Sequence, residues 1–277
     1  MRGRVSRADQ GHRDTRGPGH GDRPVKKLLL LGDIVGASGR RCAVRYIREN
    51  PHDFVVVNGE NSAGGIGITP RVADQLLDAG VDVITSGNHV WAHREIYPYL
   101  DSCGGRLLRP ENCPPGNPGT GFVTRRSGGV SVMVLNLQGR VFMPGSDCPF
   151  RAADRVLSGG CADIVIVDFH AEATSEKIAL GRYLDGRATV VAGTHTHVQT
   201  ADASILPGGT AYITDLGMCG SSSGVIGVNF SEVRERFLTG RPVRLSVSEG
   251  DDRVCGLSVT LGPDMKPSSV ETVNARI

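Results

Sequence analysis

Short apolar runs recur along the chain, and most of them close on a small polar cluster. Lys27–Leu31 runs into Gly32-Asp33-Ile34-Val35-Gly36, and a helix is predicted from about Gly39 to Glu49. Phe54–Val57 closes on Asn58-Gly59-Glu60-Asn61, and a glycine-rich loop then leads to a helix opened by Thr69-Pro70, an N-cap followed by proline at the first helical position. Val81–Thr85 closes on Ser86-Gly87-Asn88-His89, with a further helix near His93–Leu100. Strands that alternate with helices in this order predict a parallel sheet with right-handed crossovers. Such sheets gather their ligands beyond the carboxyl ends of the strands, where these polar clusters fall.

The second half is less regular. Pro110–Pro118 is a loop rich in proline, glycine and asparagine, and Gly121–Arg126 and Val130–Leu137 read as strands. Ile164–Val167 leads into Asp168-Phe169-His170-Ala171-Glu172, followed by a helix from Ser175 to about Leu184. The β-branched run from Thr189 turns out through Gly193 into Thr194-His195-Thr196-His197. Thr210–Thr214 and Val243–Val247 read as strands with a helix near Ser231–Leu238 between them, and Cys255–Leu261 and Ser269–Ala275 as terminal antiparallel strands. A parallel first half and a mixed second half predict an α/β protein: two mixed sheets packed face to face, with helices outside. No internal repeat is visible.

Charge changes the picture only at the start. Residues 1–27 carry eight of the 31 Lys/Arg but three of the 29 Asp/Glu, so the rest of the chain is mildly acidic. That balance gives the folded part no case for nucleic-acid binding. Residues 1–24 have almost nothing to bury and are expected to be a disordered basic tail or a mis-assigned start, with Val25 as a valine-coded initiator and one domain over residues 25–277. The seven cysteines are scattered and form no Cys-x-x-Cys, which argues against a disulfide framework and favours a reducing cytoplasm. The apolar run Leu28–Leu31 is too short for a signal sequence, and no run reaches the roughly 18 apolar residues of a membrane span.

The chemistry sits at the strand exits. Asp33 could cap the loop after its strand or bind a metal. Glu60 follows a nearly unbroken apolar run, where an ionised carboxylate must be paired or bound. Its two oxygens suit it to bridge two cations, and a salt bridge is the plainer alternative. Asn61 lies beside it. Asn88 offers a neutral oxygen, while His89 and His170, each taken alone, could be ligands or structural groups. In extended backbone the spacing of His195 and His197 would put both rings on one side, a two-pronged grip on a metal. Of the eight histidines these four stand at strand exits, and His93 lies one turn on; His12, His20 and His52 fall elsewhere. A mixed nitrogen and oxygen set without cysteine suits zinc, manganese or iron and disfavours calcium. The set is larger than one tetrahedral ion needs, which points to a pair.

Gly-Asp33, Gly-Glu60-Asn61, Gly-Asn88-His89, His170 and Gly-Thr-His195-Thr-His197 resemble the successive motifs of calcineurin-like metallophosphoesterases. More narrowly, Gly32–Gly36, Asn58–Asn61, Asn136-Leu-Gln-Gly-Arg140, Asp168–Lys177 and Gly193–Asp202 resemble the bacterial YmdB-type family of 2',3'-cyclic-nucleotide 2'-phosphodiesterases, over about Val25 to the end. The broad superfamily usually has a histidine two residues after its first aspartate and an aspartate at the second motif. This chain has neither, and both departures match the narrower family. The resemblance implies a four-layer metallophosphoesterase sandwich. It implies one metal held by Asp33, Glu60, Asn61 and His197, a second held by Glu60, Asn88, His170 and His195, and His89 as proton donor. Two transition-metal ions, iron or manganese with zinc as the alternative, would stand about 3.5–4 Å apart and polarise the phosphoryl oxygens. The implied partner is a small-molecule nucleotide, with homo-oligomerisation but no membrane. A nucleotide sensor with little turnover, or a phosphomonoesterase or other metal hydrolase, are the alternatives. An amidohydrolase is disfavoured because its His-x-His lies on the first barrel strand.

Overall fold

A computed structural model describes residues 25–160 and 162–277, so the expectation for residues 1–24 lies outside the described residues. The strands are β1 (Lys27–Val35), β2 (Phe54–Asn61), β3 (Val83–Thr85), β4 (Phe122–Ser127), β5 (Val130–Gln138), β6 (Ile164–His170), β7 (Val190–Thr194), β8 (Ser204–Ile205), β9 (Ala211–Ile213), β10 (Met218–Ser221), β11 (Asp252–Leu261) and β12 (Pro267–Arg276). The helices are α1 (Gly36–Glu49), α2 (Pro70–Asp78), α3 (Ile96–Ser102), α4 (Pro149–Ser158), α5 (Thr174–Tyr183) and α6 (Phe230–Thr239). They build two six-stranded sheets, ordered β12-β11-β10-β1-β2-β3 and β4-β5-β6-β7-β9-β8.

The alternation along each strand explains the layering. Leu28 and Leu30 of β1 and Val56 of β2 pack with Val132 and Val134 of β5, Ile164 and Ile166 of β6 and Val190 of β7, so they fill the space between the sheets. Their neighbours face the other way. Leu29, Leu31, Val55 and Val57 meet Cys42, Ala43 and Ile47 of α1, Val72 and Leu76 of α2 and Ile96 of α3. Met133, Leu135, Val165, Val167 and Val191 meet Ala152, Ala153 and Val156 of α4 and Leu180 of α5. The order is helix, sheet, sheet, helix. Strands buried on both faces read as continuous apolar runs, which is why they stood out in the sequence. Among the described residues no helix is long and apolar enough to cross a membrane.

Four features differ from the sequence-based expectation. The sheets do not divide the chain into halves, because β10, β11 and β12 return to the sheet of β1–β3. Val243–Val247 forms no strand, only an isolated bridge from Val247 to Val228, since no neighbouring strand offers it a ladder. The helix α4 is an addition; it opens on Pro149 and buries Ala152, Ala153 and Val156 on one face. The strand β10, Met-Cys-Gly-Ser, has little strand propensity and is held by its setting as a wedge. It pairs with Asp33 and Ile34 at one end of β1, while β11 pairs with Lys27–Leu31 at the other.

Candidate metal centre

The carboxyl ends of β1, β2 and β3 in one sheet and of β5, β6 and β7 in the other bring the predicted residues together. Asp33 and Glu60-Asn61 lie inside their strands and not in the loops after them, because β1 and β2 run on through them. Asp33, Glu60 and His170 are fully buried or nearly so, at 0 %, 1 % and 0 % exposure. His170 is the hub: its Nδ1 stands 3.8 Å from Asp33 Oδ1 and its Nε2 stands 3.6 Å from Glu60 Oε1. His195 Nδ1 approaches His170 Nε2 at 3.1 Å, the two rings meeting edge to face. On the other side His197 Nε2 stands 3.8 Å from Asp33 Oδ1 and 3.2 Å from Asn61 Oδ1.

Local backbone makes these approaches possible. A Cβ on Gly87 would overlap the His170 imidazole, at 2.1 Å from its Cδ2, so the ring packs against bare backbone at the exit of β3. Residues 88–90 form a turn. Within it the His89 N–H donates to Glu60 Oε1, which ties the exit of β3 to the exit of β2. The His-x-His pair is not extended, as the spacing argument assumed. His195 and His197 have φ of +103° and +66°, the left-handed region that residues with a Cβ rarely occupy. Both rings still reach the site, through the turn and not through strand alternation.

Burial sets the charge states. It pushes the carboxyl pKa of Asp33 up and that of Glu60 well up, because an ionised carboxylate loses its water. It pushes His170 well down, and His195 and His89 down, which keeps these rings neutral with a lone pair to share. Three buried oxygens at the site have no hydrogen-bond partner: Asp33 Oδ1, Glu60 Oε2 and Asn88 Oδ1. Each comes from a different one of the neighbouring exits of β1, β2 and β3. A buried acceptor left unsatisfied costs about 1–3 kcal/mol, so three on neighbouring strand exits fit cations that would satisfy them. Among the described residues no group of three or more His, Cys, Asp or Glu side chains stands in a geometry that holds a metal as it is. The physical reason is local. His195 is hydrogen-bonded to His170 and His197 to Asn61, bonds that a shared cation would replace, and two members of the set are asparagines.

Several residues around the site carried no assigned role in the sequence. Asp168, 3 % exposed, accepts from Thr194 at 2.8 Å, from Asn58 at 2.9 Å and from Thr85, joining β6, β7, β2 and β3 beneath the cluster. Thr194 Oγ1 in turn meets His170 Nδ1 at 3.0 Å. The Ile226 carbonyl meets His197 Nδ1 at 2.9 Å, and Glu172 Oε2 stands 3.0 Å from His195 Nε2. Asp168 carries the signal that exposed Glu60, a carboxylate inside an apolar strand. Ile226 has no such signal, because a backbone carbonyl is invisible in the sequence.

The model of the family described as YmdB-like protein matches residues 29–273. The chain is 44% identical over 247 residues to the 2',3'-cyclic-nucleotide 2'-phosphodiesterase of Bacillus subtilis (strain 168), covering 87% of this chain and 93% of that protein. Its structure superposes with a TM-score of 0.86 on a hypothetical protein from Thermus thermophilus, at 43% identity over 90% of this chain and 99% of the other. A novel phosphatase from Mycoplasma pneumoniae gives a TM-score of 0.85 at 32% identity, covering 92% of this chain and 94% of the other. With its strand-exit motifs, its two-sheet sandwich and matches of this length, the chain belongs to the YmdB-like family.

Proposed function

We propose that this chain is a two-metal phosphodiesterase that opens 2',3'-cyclic nucleotides at the 2' ester. The observation that carries the proposal is the trio of unpartnered buried oxygens on Asp33, Glu60 and Asn88 at three neighbouring strand exits, with His170 of the opposite sheet 3.8 Å from Asp33 Oδ1 and 3.6 Å from Glu60 Oε1. Asp33, Glu60, Asn61 and His197 would hold one ion, and Glu60, Asn88, His170 and His195 the other, with Glu60 common to both. Iron or manganese suits this nitrogen and oxygen set, which includes no thiolate. Bound there, two cations supply charge stabilisation for the phosphoryl group and lower the pKa of the attacking water.

The protein's own groups do the rest. Asp33 and Glu60, on the exits of β1 and β2, would hold the cations against the strand ends, because carboxylates repel a phosphate and cannot bind it directly. Water attacks phosphorus in line with the ribose O2', whose bond to phosphorus breaks to leave a 3'-monophosphate. An alkoxide is a poor leaving group, and His89, half-buried at the rim, would give it a proton: its ring is neutral in the free site, and the negative charge of bound phosphate would favour its protonated form. The support from relatives is that the Bacillus subtilis protein carries this activity in its name.

The test is a substrate panel on protein loaded with Mn²⁺ or Fe²⁺. It would comprise 2',3'-cyclic nucleotides, 3',5'-cyclic and linear nucleotides, phosphomonoesters and bis(p-nitrophenyl) phosphate. Release of 3'-nucleotides from the 2',3'-cyclic series at the highest kcat/KM is expected. Protein that carries two metals per chain and turns over no phosphodiester would overturn the proposal in favour of a nucleotide sensor.

A further inference from the structure

Beneath the two late histidines lies a buried charge pair that the chemistry above leaves unused. Lys177 of α5, 1 % exposed, donates to Asp215 Oδ2 at 2.6 Å, and Asp215 is 0 % exposed. The same oxygen accepts the Thr196 backbone N–H at 3.1 Å and the Thr196 hydroxyl at 2.7 Å. Asp215 Oδ1 accepts the Gly217 N–H at 2.8 Å. Residue 215 also holds the far end of the loop, because its N–H donates to Thr200 Oγ1 at 2.9 Å and its carbonyl accepts the Thr200 N–H at 3.1 Å.

Thr196 is the residue between His195 and His197, two non-glycine positions in left-handed backbone. Such conformations persist only where the surroundings over-determine them. The segment behind Thr196 also grips both sheets. The Leu216 N–H donates to the Gly193 carbonyl at 2.8 Å, and the Gly217 carbonyl accepts the Asp33 N–H at 3.1 Å. Gly193 itself leaves the room for this, since a Cβ there would meet Thr214 O at 1.8 Å and Lys177 Cδ at 2.9 Å. Stability alone does not call for a buried ion pair, which apolar residues of similar volume can often replace without loss. What such residues cannot replace is an acceptor that fixes Thr196.

We infer that Lys177 and Asp215 are positioning residues: they clamp Thr196 and thereby set the direction in which His195 and His197 present their rings to the metal pair. The inference rests on the two-metal reading above. Lys177 supplies the counter-charge for the buried Asp215 carboxylate, and Asp215 supplies the acceptor.

The test pairs thermal unfolding with Mn²⁺ titration by calorimetry and elemental analysis of metal content. Lys177→Met/Asp215→Leu removes both charges at once. It is expected to keep a melting temperature near that of the metal-free wild type, yet to bind Mn²⁺ about 10–100-fold more weakly, the usual effect of losing support behind a ligand. Thr196→Val, which needs no buried charge to be accommodated, is expected to weaken Mn²⁺ binding in the same direction with little change in melting temperature, and Thr196→Ser to restore it. This variant decides the matter should the double variant fail to fold. A folded double variant, or Thr196→Val, that binds Mn²⁺ as tightly as wild type overturns the inference and leaves the two-metal reading intact. A wild-type chain that takes up no Mn²⁺ overturns both.

Discussion

Asp33 and Glu60 at the strand exits, and Asp168 and Asp215 just beneath them, are four carboxylates buried to similar depth in the same part of the molecule. They differ in what surrounds them. Asp168 receives Thr85, Asn58 and Thr194, and Asp215 receives Lys177, both donors of Thr196 and the Gly217 N–H. Asp33 accepts the His195 backbone N–H and Glu60 that of His89, and each keeps one oxygen with no partner. Burial penalises ionisation of Asp33, Glu60 and Asp168 alike, so burial does not separate frame from site. Hydrogen-bond saturation does. A saturated carboxylate holds strands together, and an open one is where the proposed function puts a cation.

The largest effect expected from this contrast is at Glu60. Glu60→Ala should lower metal occupancy at both positions and take turnover to background, whereas His197→Ala should mainly empty one position. Metal-to-protein ratios by elemental analysis check the pair. One metal per chain in both wild type and Glu60→Ala would defeat the bridging role.

His89 sharpens the contrast, because it belongs to the open cluster through its backbone and is proposed to act through its ring. His89→Ala should keep both metals and lose about 10²–10⁴-fold in turnover of cyclic nucleotides, the range for a positioned acid. With p-nitrophenyl esters the loss should be far smaller, since that leaving group departs without a proton. Equal losses on both substrates would assign His89 to phosphate binding.

On the saturated side the effect should appear in folding. Lys177→Met leaves Asp215 as a buried charge without its counter-charge, and urea unfolding of metal-free protein should show a loss of about 3–5 kcal/mol. A loss well below that range would mean that water or another group reaches Asp215.

Asp168→Asn is the mildest. It turns one accepting oxygen into a donor facing the donors of its neighbours, at a cost of about 1–3 kcal/mol, and metal content should stay at two per chain. The pH dependence carries a sign. Burial raises the Asp168 pKa from 3.8 to about 6, so the folded state binds the proton more tightly than the unfolded one. Its contribution to stability therefore declines as pH rises from about 4 to about 6. The Asn variant should lack that part of the slope when the two proteins are unfolded side by side across this range.

Much of this was legible in the chain. The runs Phe54–Val57 and Ile164–Val167 are apolar because both faces of their strands are covered, and the sheets confirm both as strands. Where each strand ends was less legible. β2 continues through Asn58-Gly59-Glu60-Asn61 because β1 pairs alongside it as far as Asn61 and β3 as far as Asn58, although these residues have poor strand propensity. Val243–Val247 shows the reverse, good propensity with no ladder to join. The histidine pair reached the site by a turn that its spacing alone did not reveal.

The sequence by itself determined which polar side chains interrupt the apolar runs and near which strand ends they stand, because apolar periodicity and the residue that interrupts it are local properties. Only the tertiary structure decided which buried acids are closed and which are open. The partners of Asp168 come from 83 and 110 residues earlier in the chain and from 26 residues later, across sheets that no local pattern relates. The missing partners of Asp33 and Glu60 are likewise a property of the whole assembled end of the sandwich. Hydrogen bonding acts over about 3 Å in space without regard to distance along the chain.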